Sequence, residues 1–199
     1  MKILADENCI NNENTTSMKY TYQSSIDYIN NLVFTRVETY SLQRGEEFEE
    51  EIKLQSREYQ RLKVRKEKRN NLTHDEDERF SFLNSLLGGT QYLINEKGEF
   101  HPSSKKLNSF QSGDLWIAKL KTVLQTEIIE IPQWMCAPVY RDAIVFYDKN
   151  DEIVSVLNIC LRCQYMETQK FNHISVDSKA YLLLKEFFKD IGHSVEENN

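Results

Sequence analysis

A chain of 199 residues is long enough for one domain, or for one domain with a helical appendage, and it can bury a core without covalent staples. Its hydrophobic share of 40%, with 10 Phe, 10 Tyr and 2 Trp, excludes wholesale disorder, and 6 Gly with 3 Pro argue against a turn-dense all-β architecture. A formal net charge of −6 disfavours general attraction to nucleic acid or anionic membranes and suits a basic protein partner.

In chain order, residues 1–17 are rich in Asn, Glu and Thr and are expected to be a flexible terminus. They hold no apolar run of signal-peptide length, and nowhere do 18 apolar residues follow one another. The expectation is a cytoplasmic protein with no membrane segment, whose four cysteines are reduced thiols or metal ligands rather than a disulfide framework.

Ile26, Ile29, Leu32, Val33 and Val37 recur at helical spacing behind Ser24 and Ser25, which predicts a helix over roughly 25–40. Residues 46–70 form the most polar stretch. Five glutamates lie between 46 and 51, and bases dominate from Arg57 to Arg69, the order a helix macrodipole favours. A long charged helix of about 37 Å follows, able to protrude or to mediate an oligomer. Thr73 with Glu76 has capping-box spacing, and Phe80, Leu83, Leu86 and Leu87 give the next helix its buried face before Gly88-Gly89. TQYLINEKGEF reads as a short strand, a Lys97-Gly98 turn and a possible second strand; residues 101–113 read as a loop.

Trp116, Ile117, Leu120, Val123 and Leu124 mark a helix after Ser112 or Asp114, and EIIEI reads as a strand or extended entry stopped by Pro132. AIVFY and IVSVLNI, about the polar bend DKNDE, have the signature of a β-hairpin. Asp177 or Ser178 then opens a final helix with Tyr181, Leu184, Phe187, Phe188 and Ile191 inward and Gly192 at its end. The expected fold is α+β: a mainly helical N-terminal part over 18–100 with the long charged helix, and a C-terminal α+β part over 114–199. In the latter a β-hairpin or small antiparallel sheet is packed by the terminal helix.

Three cysteines flank the expected hairpin. Cys160-Leu-Arg-Cys163 places two sulfurs within reach of one metal ion or of each other, and folding back about DKNDE brings Cys136 to them. A structural zinc site of Cys136, Cys160, Cys163 and His193, with His173 as the other candidate for the fourth position, is one reading. Dithiol redox chemistry at Cys160 and Cys163 is a second, with Arg162 available to stabilise a thiolate. Small buried side chains at a strand end are the third and simplest. Tyr140-Arg141-Asp142 reads as a rim salt bridge. No nucleophile elbow, zinc-protease helix, phosphate-cradling loop or dinucleotide fingerprint occurs. A non-enzymatic interaction or regulatory protein that binds a protein partner is therefore the leading expectation. A thiol-dependent redox enzyme is the alternative. Nucleic-acid binding through 57–69 is a third reading, disfavoured by the adjacent acidic block.

Overall fold

The computed structural model describes residues 21–68, 72–133 and 136–195; the expected flexible stretch 1–17 lies outside the described residues. Twelve elements follow in order. They are β1 (Thr21–Ser24), α1 (Ser25–Asn31), β2 (Arg36–Ser41), α2 (Glu46–Glu67), α3 (His74–Leu87) and β3 (Lys105–Gln111). Then come α4 (Leu115–Leu124), β4 (Asp142–Tyr147), β5 (Ile153–Cys160), β6 (Tyr165–Thr168), β7 (Asn172–Ser175) and α5 (Ser178–Asp190).

The strands make one seven-stranded mixed sheet in the order β1-β7-β6-β5-β4-β2-β3. Only β1 and β7 run parallel. This overturns the division into a helical N-terminal part and a small C-terminal hairpin. The pair β4–β5 exists, with Val145 opposite Val156, but it is the middle of a sheet that also recruits β1, β2 and β3 from upstream.

The physical reason lies in β2. The helix expected over 25–40 stops at Asn31, and Leu32 turns extended (φ −87°, ψ 117°). From Arg36 the backbone pairs with β4 on one side and β3 on the other, so its N–H and C=O groups are satisfied by two ladders. Val37, at the spacing of a further helical turn, instead sits between Phe110 and Phe146 as a cross-strand neighbour of both. Tertiary pairing outweighs local periodicity here. The predicted loop 101–113 likewise contains β3. Its sequence KKLNSFQ is polar because β3 is the sheet's edge strand, where lysines face solvent and blunt further pairing. EIIEI joins no ladder; Asp177 instead accepts hydrogen bonds from the Ile129 and Glu130 amides at 2.8 Å.

One face of the sheet carries Val37, Ile144, Phe146, Leu157, Ile159, Met166 and Ile174 under α1, α4 and α5. In α5, Tyr181, Leu184, Phe187 and Phe188 are buried in that layer, as their spacing predicts. The other face packs Tyr40, Ala143, Val145, Tyr147 and Val156 under the segment around Leu93. Leu93 is held there by its amide, which donates to Asn158 Oδ1 at 2.9 Å.

Helices α2 and α3 stand apart from both layers. Among the helices and strands each is the other's principal partner, through the stacked rings of Tyr59 and Phe80, 5.4 Å apart, and the ion pairs Arg65–Glu76, Lys66–Asp77 and Arg79–Glu58. The Thr73–Glu76 capping box is present at the start of α3. Phe48 touches the His101 ring near the base of this helical hairpin, with centroids 6.2 Å apart.

Candidate functional site

The chain passes from β5 to β6 through a turn over residues 161–164, closed by Gln164 at φ 48°. That turn puts Cys160 at its start and Cys163 inside it. The Cys163 amide donates to Cys160 Sγ at 3.4 Å. Cys136 does not enter β4 as its position beside AIVFY had suggested. It lies six residues upstream of Asp142, in an irregular segment, and is joined to Cys163 by a disulfide with Cα atoms 6.5 Å apart. Cys160 is a buried free thiol. The structure thus gathers the three sulfurs, with two of them bonded rather than all reduced.

All three cysteines line one cavity of about 410 Å³ between the β5–β6 turn and α5. Among the described residues its charged walls are Arg44, Arg141, Arg162, Lys185 and Asp142, with Gln164 and Tyr181 as neutral polar lining. Asp142 is the only acid among these described residues, and both of its oxygens are engaged. Arg44 donates to both its oxygens, at 2.8 and 2.7 Å, and His193 Nδ1 meets Oδ1 at 2.8 Å. Burial by itself pushes the Asp142 carboxyl up, but the hydrogen bonds from His193 and Arg44 outweigh it and hold the group below the usual carboxylate range. What remains is a cavity with a positive wall beside sulfur.

His193 is therefore not turned toward the sulfurs. Its Nε2 pairs with Thr39 Oγ1 at 2.9 Å, and that hydroxyl also accepts from Asn108 Nδ2. The order Asp142, His193, Thr39 has the outline of a hydrolase relay, but Thr39 is fully buried and its hydroxyl already has two partners. Its role is to clasp the residues after α5 to β2 and β4. His173 sits in β7 between the rings of Tyr22 and Tyr165, and burial pushes its imidazole pKa down. Neither histidine lines the cavity. Among the described residues no group of three or more His, Cys, Asp or Glu side chains is set to hold a metal ion.

Arg44, Asp142 and Thr39 form a constellation that sequence reasoning missed. The acid in Tyr140-Arg141-Asp142 is bound by Arg44, 98 positions away, rather than by its neighbour Arg141. An aspartate at the head of the apolar strand AIVFY is the available signal, since an acid buried there needs a charged partner. A second buried acid, Glu38, accepts from Tyr40 and Tyr147 hydroxyls at 2.7 and 3.0 Å and pairs with Arg36 and Lys106. It braces the opposite face.

The part of the basic run 57–69 that lies within α2 ends at Glu67 and is partly neutralised by α3, and Arg69 lies outside the described residues. Arg65 and Lys66 are paired with Glu76 and Asp77. At the other end, among the described residues, Glu46, Glu47, Glu49 and Glu50 make no ion pair. No described helix is long and apolar enough to cross a membrane. Comparison with known proteins finds no matching family model, no similar curated protein and no similar solved structure.

Proposed function

We propose that this is a non-enzymatic interaction protein, which presents the α2–α3 hairpin and its acidic base to a protein partner with a basic surface. One observation carries the reading. Helices of 22 and 14 residues bury only Leu62 and Leu83, while the sheet completes both of its apolar layers without them. An ordered module of that size that contributes so little to the core needs another reason to be rigid. Its internal ion pairs and capping box supply the rigidity, and the unpaired glutamates at the base supply a field that a basic partner complements. A cytoplasmic location and the absence of membrane attachment belong to the same proposal.

The test compares the whole protein with a charge-reversed variant, Glu46→Lys, Glu47→Lys, Glu49→Lys and Glu50→Lys, and with one in which 46–87 is replaced by a short loop. Both should keep the circular-dichroism melt of the sheet domain. The whole protein should retain a basic partner from its native cells that elutes with salt, and both variants should lose it. An identical set of captured proteins on all three, or dimerisation through the hairpin alone, overturns the reading. In the fully reduced protein Cys136, Cys160 and Cys163 each offer a thiolate, and a structural zinc is proposed only for that state. Elemental analysis of reduced protein purified without chelator decides it: about one zinc per chain, lost in Cys160→Ser, supports the site.

A further inference from the structure

The cavity beside the cysteines is lined by no described residue of α2 or α3, and its chemistry is specific. We propose that Cys136, Cys160 and Cys163 form a thiol–disulfide exchange site for small disulfides that carry carboxylates, with Cys136 as the residue that takes the adduct.

Cys163 has two possible sulfur partners. It is bonded to Cys136, and it shares a turn with Cys160, whose sulfur already lies 3.4 Å from the Cys163 amide. Residues at the two ends of a four-residue turn have Cα atoms within about 7 Å, which overlaps the range a disulfide spans. The Cys160 thiolate, formed by loss of its proton to solvent, attacks Sγ of Cys163. The Cys160–Cys163 bond forms, the Cys163–Cys136 bond breaks, and Cys136 leaves as a thiolate. The step is an isomerisation with no net oxidation.

Burial gives the exchange its direction of use. Cys160 and Cys163 are 3% and 7% exposed, whereas Cys136 is on the surface. Among the described residues of 131–139, none makes a backbone–backbone hydrogen bond, and the disulfide ties Cys136 covalently to the β5–β6 turn. Exchange therefore converts a tethered strap into one that carries an accessible thiolate. In a second step that thiolate attacks a small disulfide R–S–S–R. The Cys136 sulfur bonds to one sulfur of the reagent, the reagent's own S–S bond breaks, its second half leaves as the thiolate R–S−, and the mixed disulfide Cys136–S–S–R stays at the cavity mouth.

The walls choose the reagent. Among the described residues, Arg162 and Lys185 have no ion-pair partner, and the one acid in the lining is held by Arg44 and His193. A carboxylate-bearing disulfide is drawn in, while an ammonium-bearing one of the same reactivity is repelled.

The experiment uses the full chain in a Cys9→Ser background, treated with oxidised glutathione or with cystamine, quenched in acid, alkylated and mapped by mass spectrometry. Wild type should gain one glutathionyl group on the Cys136 peptide, at least tenfold faster than the cystamine adduct. Cys160→Ser should gain none, because Cys136 stays tied to Cys163. Cys163→Ser, in which Cys136 is free from the start, should react without needing Cys160. Arg162→Glu with Lys185→Glu should erase the preference for glutathione. No Cys136 adduct on wild type or on Cys163→Ser overturns the proposal. So does an adduct on Cys160→Ser at the wild-type rate, or a reagent preference unchanged by the charge reversal.

Discussion

Replacing Asp142 by Asn tests the account of the buried clasp most directly. The side chain is 1% exposed and accepts three hydrogen bonds, two from Arg44 and one from His193. The amide is nearly isosteric and leaves no cavity, so the change isolates charge. Removing one partner of a buried ion pair costs roughly 3–5 kcal/mol, much of it the stranded opposite charge. Arg44 lines the cavity and keeps 14% exposure, so it regains some solvation and the loss should sit near the lower end, about 3 kcal/mol. For a chain of this length that corresponds to a fall in melting temperature of roughly 6–12 °C. Urea titration at pH 7 with paired thermal melts reads it. The pH profile gives a second reading. Because the folded carboxyl is held below its unfolded value, its contribution is complete above about pH 4 and is lost as pH falls through the folded value. The gap between wild type and Asp142→Asn should therefore narrow on acidification. A loss under about 1 kcal/mol at pH 7, or a gap that stays constant down to pH 2, would refute the assignment.

Phe188→Ala empties a fully buried position between Phe187 and the His193 ring and should cost about 3–5 kcal/mol in urea unfolding, without changing the dimensions of the native state. Glu38→Gln weakens acceptance from Tyr40 and Tyr147 and unbalances Arg36 and Lys106; a loss of about 2 kcal/mol is expected by the same assay. Thr73→Ala removes the capping box and should cost about 1 kcal/mol locally. Hydrogen exchange should speed up at the start of α3 while the amides of β4 and β5 keep their protection, because the hairpin is packed on itself.

Much of the helical content could be read from the chain because each helix carries its own local signals. The capping box at Thr73, the 3–4 spacing of Tyr181, Leu184 and Phe188, and the acid-to-base order of α2 act within a few residues of one another. The sheet could not be read in the same way. The strand Arg36–Ser41 is specified by what lies beside it, Phe110 on one flank and Phe146 on the other, and neither is near in sequence. The edge strand Lys105–Gln111 is composed like a loop because an edge and a loop answer to the same solvent. The hairpin about DKNDE was legible for the opposite reason: its pairing is local, and only its place at the middle of the sheet was hidden.

The candidate site divides along the same line. The meeting of Cys136 with Cys160 and Cys163 follows from a local fold-back, whereas the clasp of Arg44, Asp142, His193 and Thr39 joins four distant segments and leaves no spacing to detect. The choice between sulfur partners has an energetic reading that spacing alone supplies. Loop closure across the 27-residue separation of Cys136 and Cys163 restrains the unfolded chain by about 3.5 kcal/mol, and closure of Cys160 on Cys163 by about 2 kcal/mol. The longer link thus restrains its own unfolded chain by about 1.5 kcal/mol more than the shorter one does, so the Cys136–Cys163 isomer should resist urea more strongly, while the balance between the two folded isomers is set by the contacts around the β5–β6 turn. An exchange site requires two folded isomers of comparable stability, since a strongly preferred link would hold Cys136 permanently and a strongly disfavoured one would never tether it.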